Sequence, residues 1–182
     1  MRQKVSSERL KRFMSAVGRA GKKNARVYFT GGATAVLLGW RETTIAVDVK
    51  IIPESDEILR VLPQLKEKLQ LNIELAAPDD FIPVLPGWQE RSTYINREGP
   101  IEFFHYDFYA QALAKIERGH STDLHDVRQM IERGLIEPSC LMELFGRVEE
   151  SLYKYPAIDA GTFRAAVERF LEKDPFEALP KK

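Results

Sequence analysis

Cysteine is nearly absent from this chain, Cys140 being the only one in 182 residues. A single thiol excludes an internal disulfide framework and fits a reducing compartment. Net charge is absent too, 27 Lys and Arg against 27 Asp and Glu, so no global field draws the protein to nucleic acid or membrane and any basic patch has to be local. No apolar run approaches a membrane span. The opening MRQKVSSERLKRF lacks the apolar core of a signal peptide, so a cytoplasmic setting is expected. Repeats and low-complexity tracts are missing. His105, His120 and His125 show no metalloprotease-like spacing, and one cysteine makes no zinc cluster; surface or helix-end roles are expected of all three.

What is present supports a folded core, with 44% hydrophobic and 10% aromatic residues, enough for one domain or one domain with a helical annex. A helix is expected over 6–20, capped by Ser6 or Ser7, with Leu10, Phe13, Met14 and Val17 on one face. ARVYFT (25–30) reads as a buried strand ending at Gly31-Gly32, followed by a short helix stopped at Gly39. TTIAVDVKII (43–52) reads as one long strand. The next helix, about 54–69, should be split or kinked at Pro63. LNIELAA (71–77) is a strand, PDDFIPVLPGWQERS a loop, and IEFFHYDF (101–108) a strand leading into helix 109–118. Helices near 121–133, 138–150 and 160–172 and a short charged tail complete the chain. Strands first and helices last is an α+β pattern, divided here into a core of 1–108 and a helical part of 109–182.

Side chains alternate along a strand, so Ala46, Asp48 and Lys50 share a face, with neighbours on it roughly 6–7 Å apart. An Asp-x-Asp pair so placed can hold two divalent cations for phosphoryl transfer. Here Asp48 has Ala46 where its partner acid would stand. The Gly31-Gly32 turn before a helix lets a phosphate approach backbone N–H groups closely.

Together, GGATAVLLGWRETTIAVDVKI resembles the signature of the nucleotidyltransferase (polymerase β-like) superfamily, and within it the minimal bacterial branch of AbiEii-like toxins. Gly31, Gly32, Arg41, Thr44 and Asp48 match the pattern, and Ala46 departs from it at the first acid. A second stretch, ALAKIERGHSTDLHDV, is similar to that branch's helical motif through Lys115, Arg118, Asp123 and Asp126. The resemblance implies a mixed β-sheet flanked by helices with a helical C-terminal part.

It also implies Mg²⁺ and an NTP, ATP or CTP foremost, with an NMP moved to an RNA (tRNA) or protein acceptor, and a cognate antitoxin as partner. Asp48 and a third acid, Glu74 with Glu102 as competitor, would hold metal; Gly31, Gly32, Arg41, Thr44 and Lys115 would serve the nucleotide. Alternatives stay open. Glu74 equally suits a wet strand face and Arg41 a turn. Lys115 and Arg118 also describe a solvated helix face, and Asp123 suits a helix N-terminus without catalysis. VLPGWQERSTY could stack an acceptor base or pack on its own core. Ala46 is a natural loss, a substitution or a vacancy filled by another ligand, and Lys50, a cation, cannot fill it. Impaired transfer is the leading expectation, and a catalytically silent nucleotide-binding module the runner-up.

Overall fold

The computed structural model describes residues 4–172; the charged tail lies outside the described residues. The chain forms two compact units, one from Met1–Ala77 with Gln89–Asp107, the other from Pro78–Trp88 with Phe108–Lys182. Each is described by itself.

In the first unit, α1 (Ser7–Ala20) begins where the Ser6 hydroxyl accepts the Arg9 N–H, and it buries Leu10, Phe13, Met14 and Val17 as one stripe. The remaining elements are β1 (Val5–Ser6), β2 (Ala25–Thr30), α2 (Gly31–Leu38), β3 (Thr43–Thr44), β4 (Ala46–Ile52), α3 (Asp56–Leu69), β5 (Asn72–Leu75), β6 (Thr93–Glu98) and β7 (Ile101–His105), with the one-turn helix α4 (Trp88–Arg91) at the passage between the units. Five strands make a mixed sheet in the order β5-β4-β2-β7-β6. β2 runs antiparallel to β4 and parallel to β7, β4 runs parallel to β5, and β6 and β7 are antiparallel. This is the expected α+β, nucleotidyltransferase-like arrangement.

Alternation sorts the two faces of the sheet. Val27, Phe29, Val47, Val49, Ile51, Ile73, Ile101 and Phe103 join the stripe of α1 and the Ile58, Leu62 and Leu65 face of α3 in one apolar core. The opposite face carries Arg26, Tyr28, Thr30, Ala46, Asp48, Lys50, Asn72, Glu74 and Glu102, as the strand registers require.

Three local expectations are corrected. The strand expected over 43–52 is broken at Ile45, which is 79% exposed; Thr43 and Thr44 turn away to pair with Ser6 and Val5, and β4 begins only at Ala46. Pro63 does not split α3, which runs unbroken through it. The ring lies on the exposed side of the helix, where water can take up the carbonyl its missing N–H leaves behind. β6, absent from the sequence reading, pairs with β7 across the Gly99-Pro100 turn.

The second unit holds α5 (Phe108–Arg118), α6 (Ser121–Glu132), α7 (Pro138–Glu149) and α8 (Ala160–Glu172). Leu141, Phe145, Phe163 and Val167 are buried in it, with the Phe145 and Phe163 rings edge-to-face at 4.9 Å. Pro78–Trp88, expected within the core domain as a loop, groups with this unit because Ile82, Leu85 and Trp88 are buried and a 3-10 turn at Pro78–Asp80 starts the segment. No helix among the described residues is long and apolar enough to cross a membrane.

Candidate functional site

The site is built at the junction of β2 and α2. Gly31 adopts φ +59°, where a side chain is strained, and a Cβ on it would stand 2.9 Å from Asp48 Oδ2. A Cβ on Gly32 would overlap the Thr44 hydroxyl and lie 2.7 Å from the Thr44 Cβ. Gly32 is thus required by its close approach to Thr44, and Gly31 by its positive φ beside the Asp48 carboxylate. The helix they open has no acidic residue in its first turn and no side-chain cap from Thr30, which suits an anion at that end.

The strand registers place the remaining groups. Asp48 is half-buried, flanked by Thr30 on β2 and Glu74 on β5, so Asp48 and Glu74 stand on adjacent strands about 4.8 Å apart. Ala46, two residues earlier on the same face, is flanked by Asn72. Asn72 donates from Nδ2 to Glu74 Oε1 at 2.6 Å, which orients that exposed carboxylate. Sequence reading missed Asn72; the available signal was its two-residue spacing from Glu74 in NIE. Glu102 is elsewhere. It is two strands from β4, level with Arg26 and Ile52, about 13 Å along the strands from the Asp48 level, and it is ion-paired with Arg26 at 3.4 Å.

Arg41 follows the far end of α2, where the N–H groups of Gly39, Trp40 and Arg41 all converge on the Ala35 carbonyl. Lys115 belongs to the second unit and is buried. Its ammonium donates to Asp123 at 3.1 Å and Asp126 at 2.7 Å, while Arg118 grips Asp123 through two nitrogens at 2.8 and 2.9 Å. The four residues of the second stretch therefore form one network tying α5 to α6. Burial raises the Asp123 carboxyl, but the hydrogen bond from Arg118 and the charge of Lys115 outweigh it and hold the group below its usual range. Two of the three donors of the Lys115 ammonium are committed to these carboxylates.

His105 corrects the expectation of surface histidines. It is 4% exposed, and burial pushes its pKa down to about 4. Its Nδ1 lies 3.2 Å from Thr34 Oγ1, whose hydroxyl also reaches the Phe29 carbonyl at 3.2 Å. His120 stands at the N-terminal end of α6, without a side-chain capping bond, and His125 is exposed, as expected. Trp88 is buried, so it does not offer an open face for stacking a base.

Asp48 and Glu74 supply two carboxylates and position 46 none. Among the described residues no group of three or more His, Cys, Asp and Glu gathers as a metal ligand set. These donors do not fit a two-ion centre. They fit one Mg²⁺ completed by triphosphate oxygens and water, which when bound would neutralise phosphate charge.

A family model described as "Nucleotidyltransferase of unknown function (DUF6036)" matches residues 8–172. The chain belongs to this nucleotidyltransferase family. Its fold is also that of an antigenic nucleotidyltransferase-like protein from Paracoccidioides brasiliensis, whose crystal structure aligns with a TM-score of 0.50 at 16% identity over 91% of this chain and 95% of the other. No curated protein matches the chain. This nucleotidyltransferase-family chain sets the Gly31-Gly32 turn against Asp48 and Thr44, with Ala46 two residues before Asp48 on the same sheet face.

Proposed function

We propose that this chain binds a nucleoside triphosphate with Mg²⁺ at Gly31, Gly32, Asp48 and Glu74, and that transfer of its nucleoside monophosphate is disabled by Ala46. One observation carries the reading. The turn is still fitted to Asp48 and Thr44, with no room for a Cβ at Gly32 and a positive φ at Gly31 beside the Asp48 carboxylate, while the same sheet face offers only a methyl group at position 46. A binding fold is kept and one acid is missing from it.

Transfer in this family's chemistry joins an acceptor hydroxyl oxygen to the α-phosphorus and breaks the bond from that phosphorus to the bridging oxygen, with pyrophosphate leaving. In the reading proposed, Glu74 takes the hydroxyl proton and Asn72 holds Glu74 in place. Without the first acid, triphosphate and acceptor lose their mutual positioning, which is where most of the rate resides. The acceptor class is an RNA, such as tRNA, or a protein hydroxyl. A toxin-like role with a cognate antitoxin, in the manner of the AbiEii-like branch, belongs to the same proposal.

A second reading is favoured by the lack, among the described residues of the strands beside Ala46, of any acid on its face other than Asp48 and Glu74: a silent nucleotide-binding module acting through a partner protein. Both readings require nucleotide binding. Calorimetry with Mg·ATP and Mg·CTP tests it, with uptake expected from the chain as it stands and at least tenfold weaker uptake from Asp48→Asn. No uptake of either nucleotide would overturn both.

A further inference from the structure

Although the chain as a whole is neutral, residues 4–23 carry seven cations, Lys4, Arg9, Lys11, Arg12, Arg19, Lys22 and Lys23, against the single acid Glu8. The fold places four of these, Arg9, Lys11, Arg12 and Arg19, along one surface. The apolar stripe of α1 faces the core, so Lys11, Arg12 and Arg19 are exposed on its outer side. Lys68, exposed near the end of α3, extends the same surface. Two shallow grooves run there. One, of about 260 Å³, is lined by Arg9, Arg12, Lys68, Leu69 and Gln70. The other, of about 500 Å³, is lined by Glu8, Lys11, Arg12, Ser15, Arg19 and Leu69.

The surface is also held rigid. The Arg9 guanidinium donates to the carbonyls of Leu69, Gln70 and Lys4, which fastens α1 to the end of α3 and fixes the two sides of the first groove. Arg12 pairs with Glu8 at 2.5 Å, but both side chains are about 70% exposed, so a polyanion can displace this pair at little cost. Arg12 and Arg19 are separated by about 10 Å of helical rise, and a ligand bridging them has to carry charge at repeated intervals.

We infer that the outer face of α1, with Lys68, docks the phosphate backbone of a single-stranded nucleic acid. A chain of phosphates matches two cationic grooves that share Arg12 and Leu69 better than an isolated anion does, and exposed arginines and lysines contact phosphates without reading sequence. The surface lies wholly within the first unit and includes none of Gly31, Asp48 or Glu74, so the inference does not rest on the proposed nucleotide chemistry.

The test is fluorescence anisotropy of a labelled single-stranded RNA of mixed sequence, without nucleotide or metal, between 50 and 200 mM salt. Three to five phosphate contacts should weaken binding by roughly 20- to 100-fold across that range. The triple variant Lys11→Glu/Arg12→Glu/Arg19→Glu should lose at least tenfold in affinity at 50 mM salt and flatten the salt slope by about two. A control, Arg133→Glu/Arg147→Glu/Lys154→Glu, has the same net charge with α1 intact and should bind within threefold of the parent. Circular dichroism checks that all three are folded; should the α1 triple fail to fold, Lys11→Gln/Arg12→Gln/Arg19→Gln replaces it with the same loss expected. Equal losses in the α1 variant and the control would overturn the inference, as would no binding at 50 mM salt. Tighter binding of a polyglutamate peptide or anionic vesicles than of RNA would overturn it in favour of those partners.

Discussion

Gly32 and Thr44 lie so close that the threonine side chain fills the space a Cβ on the glycine would need. Gly32→Ala therefore forces either α2 or β3 to shift, which overpacking data put at about 1–3 kcal/mol. The melting temperature should fall by a few degrees, and Thr44→Ala added to Gly32→Ala should recover part of it. Unchanged melting of Gly32→Ala would mean that the turn is not packed on Thr44.

The buried His105 gives a pH dependence with a definite sign. Its pKa is lowered from 6.5 to about 4 in the fold, so the unfolded chain takes up the proton first. The contribution is intact above pH 6.5 and is lost as pH falls from 6.5 through about 4, on the order of 3 kcal/mol in all. Histidine ring resonances followed by NMR should keep His105 neutral until about pH 4. Titration near 6.5 would contradict its burial.

Removing the ammonium between two carboxylates should be costly. Lys115→Met leaves Asp126, 0% exposed at its side chain, without its cation, which for buried pairs costs about 3–5 kcal/mol. Asp123 keeps Arg118. Adding Asp126→Leu should recover most of the loss, since an apolar replacement of the whole pair is often neutral. A melt of Lys115→Met that matches the parent, coupled with weakened nucleotide uptake, would instead return Lys115 to a phosphate role.

Asp123 adds a separate acid step. Its carboxyl is held below the ordinary 3.8, so its contribution is complete above that value and is lost as pH falls through the lower folded value. Chemical denaturation below pH 4 should show Arg118→Ala less acid-sensitive than the parent, and an unchanged acid profile would remove Asp123 from the explanation.

Much of this fold is written in local pattern. The α1 stripe, the β2 strand and the helices of the second unit follow from spacing and caps that need no distant partner. The failures share a cause. Thr43–Thr44 and Ala46–Ile52 read as one strand because every residue suits a strand, and only the pairing of Thr44 with Val5 breaks the run. β6 reads weakly because Arg97 and Glu98 blur its alternation, and its existence depends on β7. His105 was misjudged because burial of a polar ring depends on Thr34, 71 residues away.

The site divides the same way. Asp48 and the two glycines were legible because strand alternation and a tight turn are local. The placement of Glu74 and Glu102 was not, since both sit in short alternating strands and only the sheet order puts Glu74 beside Asp48 and Glu102 beside Arg26. Asn72 gained interest only once its register with Ala46 was known.

The most direct measurement is labelled nucleotide transfer from each of the four NTPs, with Mg²⁺, onto total RNA and protein of a bacterial extract, run with the chain as it stands and with Ala46→Asp. Label is expected only with Ala46→Asp, at a rate at least a hundredfold above the parent, on the order of what loss of positioning costs. Comparable transfer by both chains would contradict the assignment of position 46, and an Ala46→Asp chain that binds Mg·NTP yet transfers nothing would leave a silent binding module.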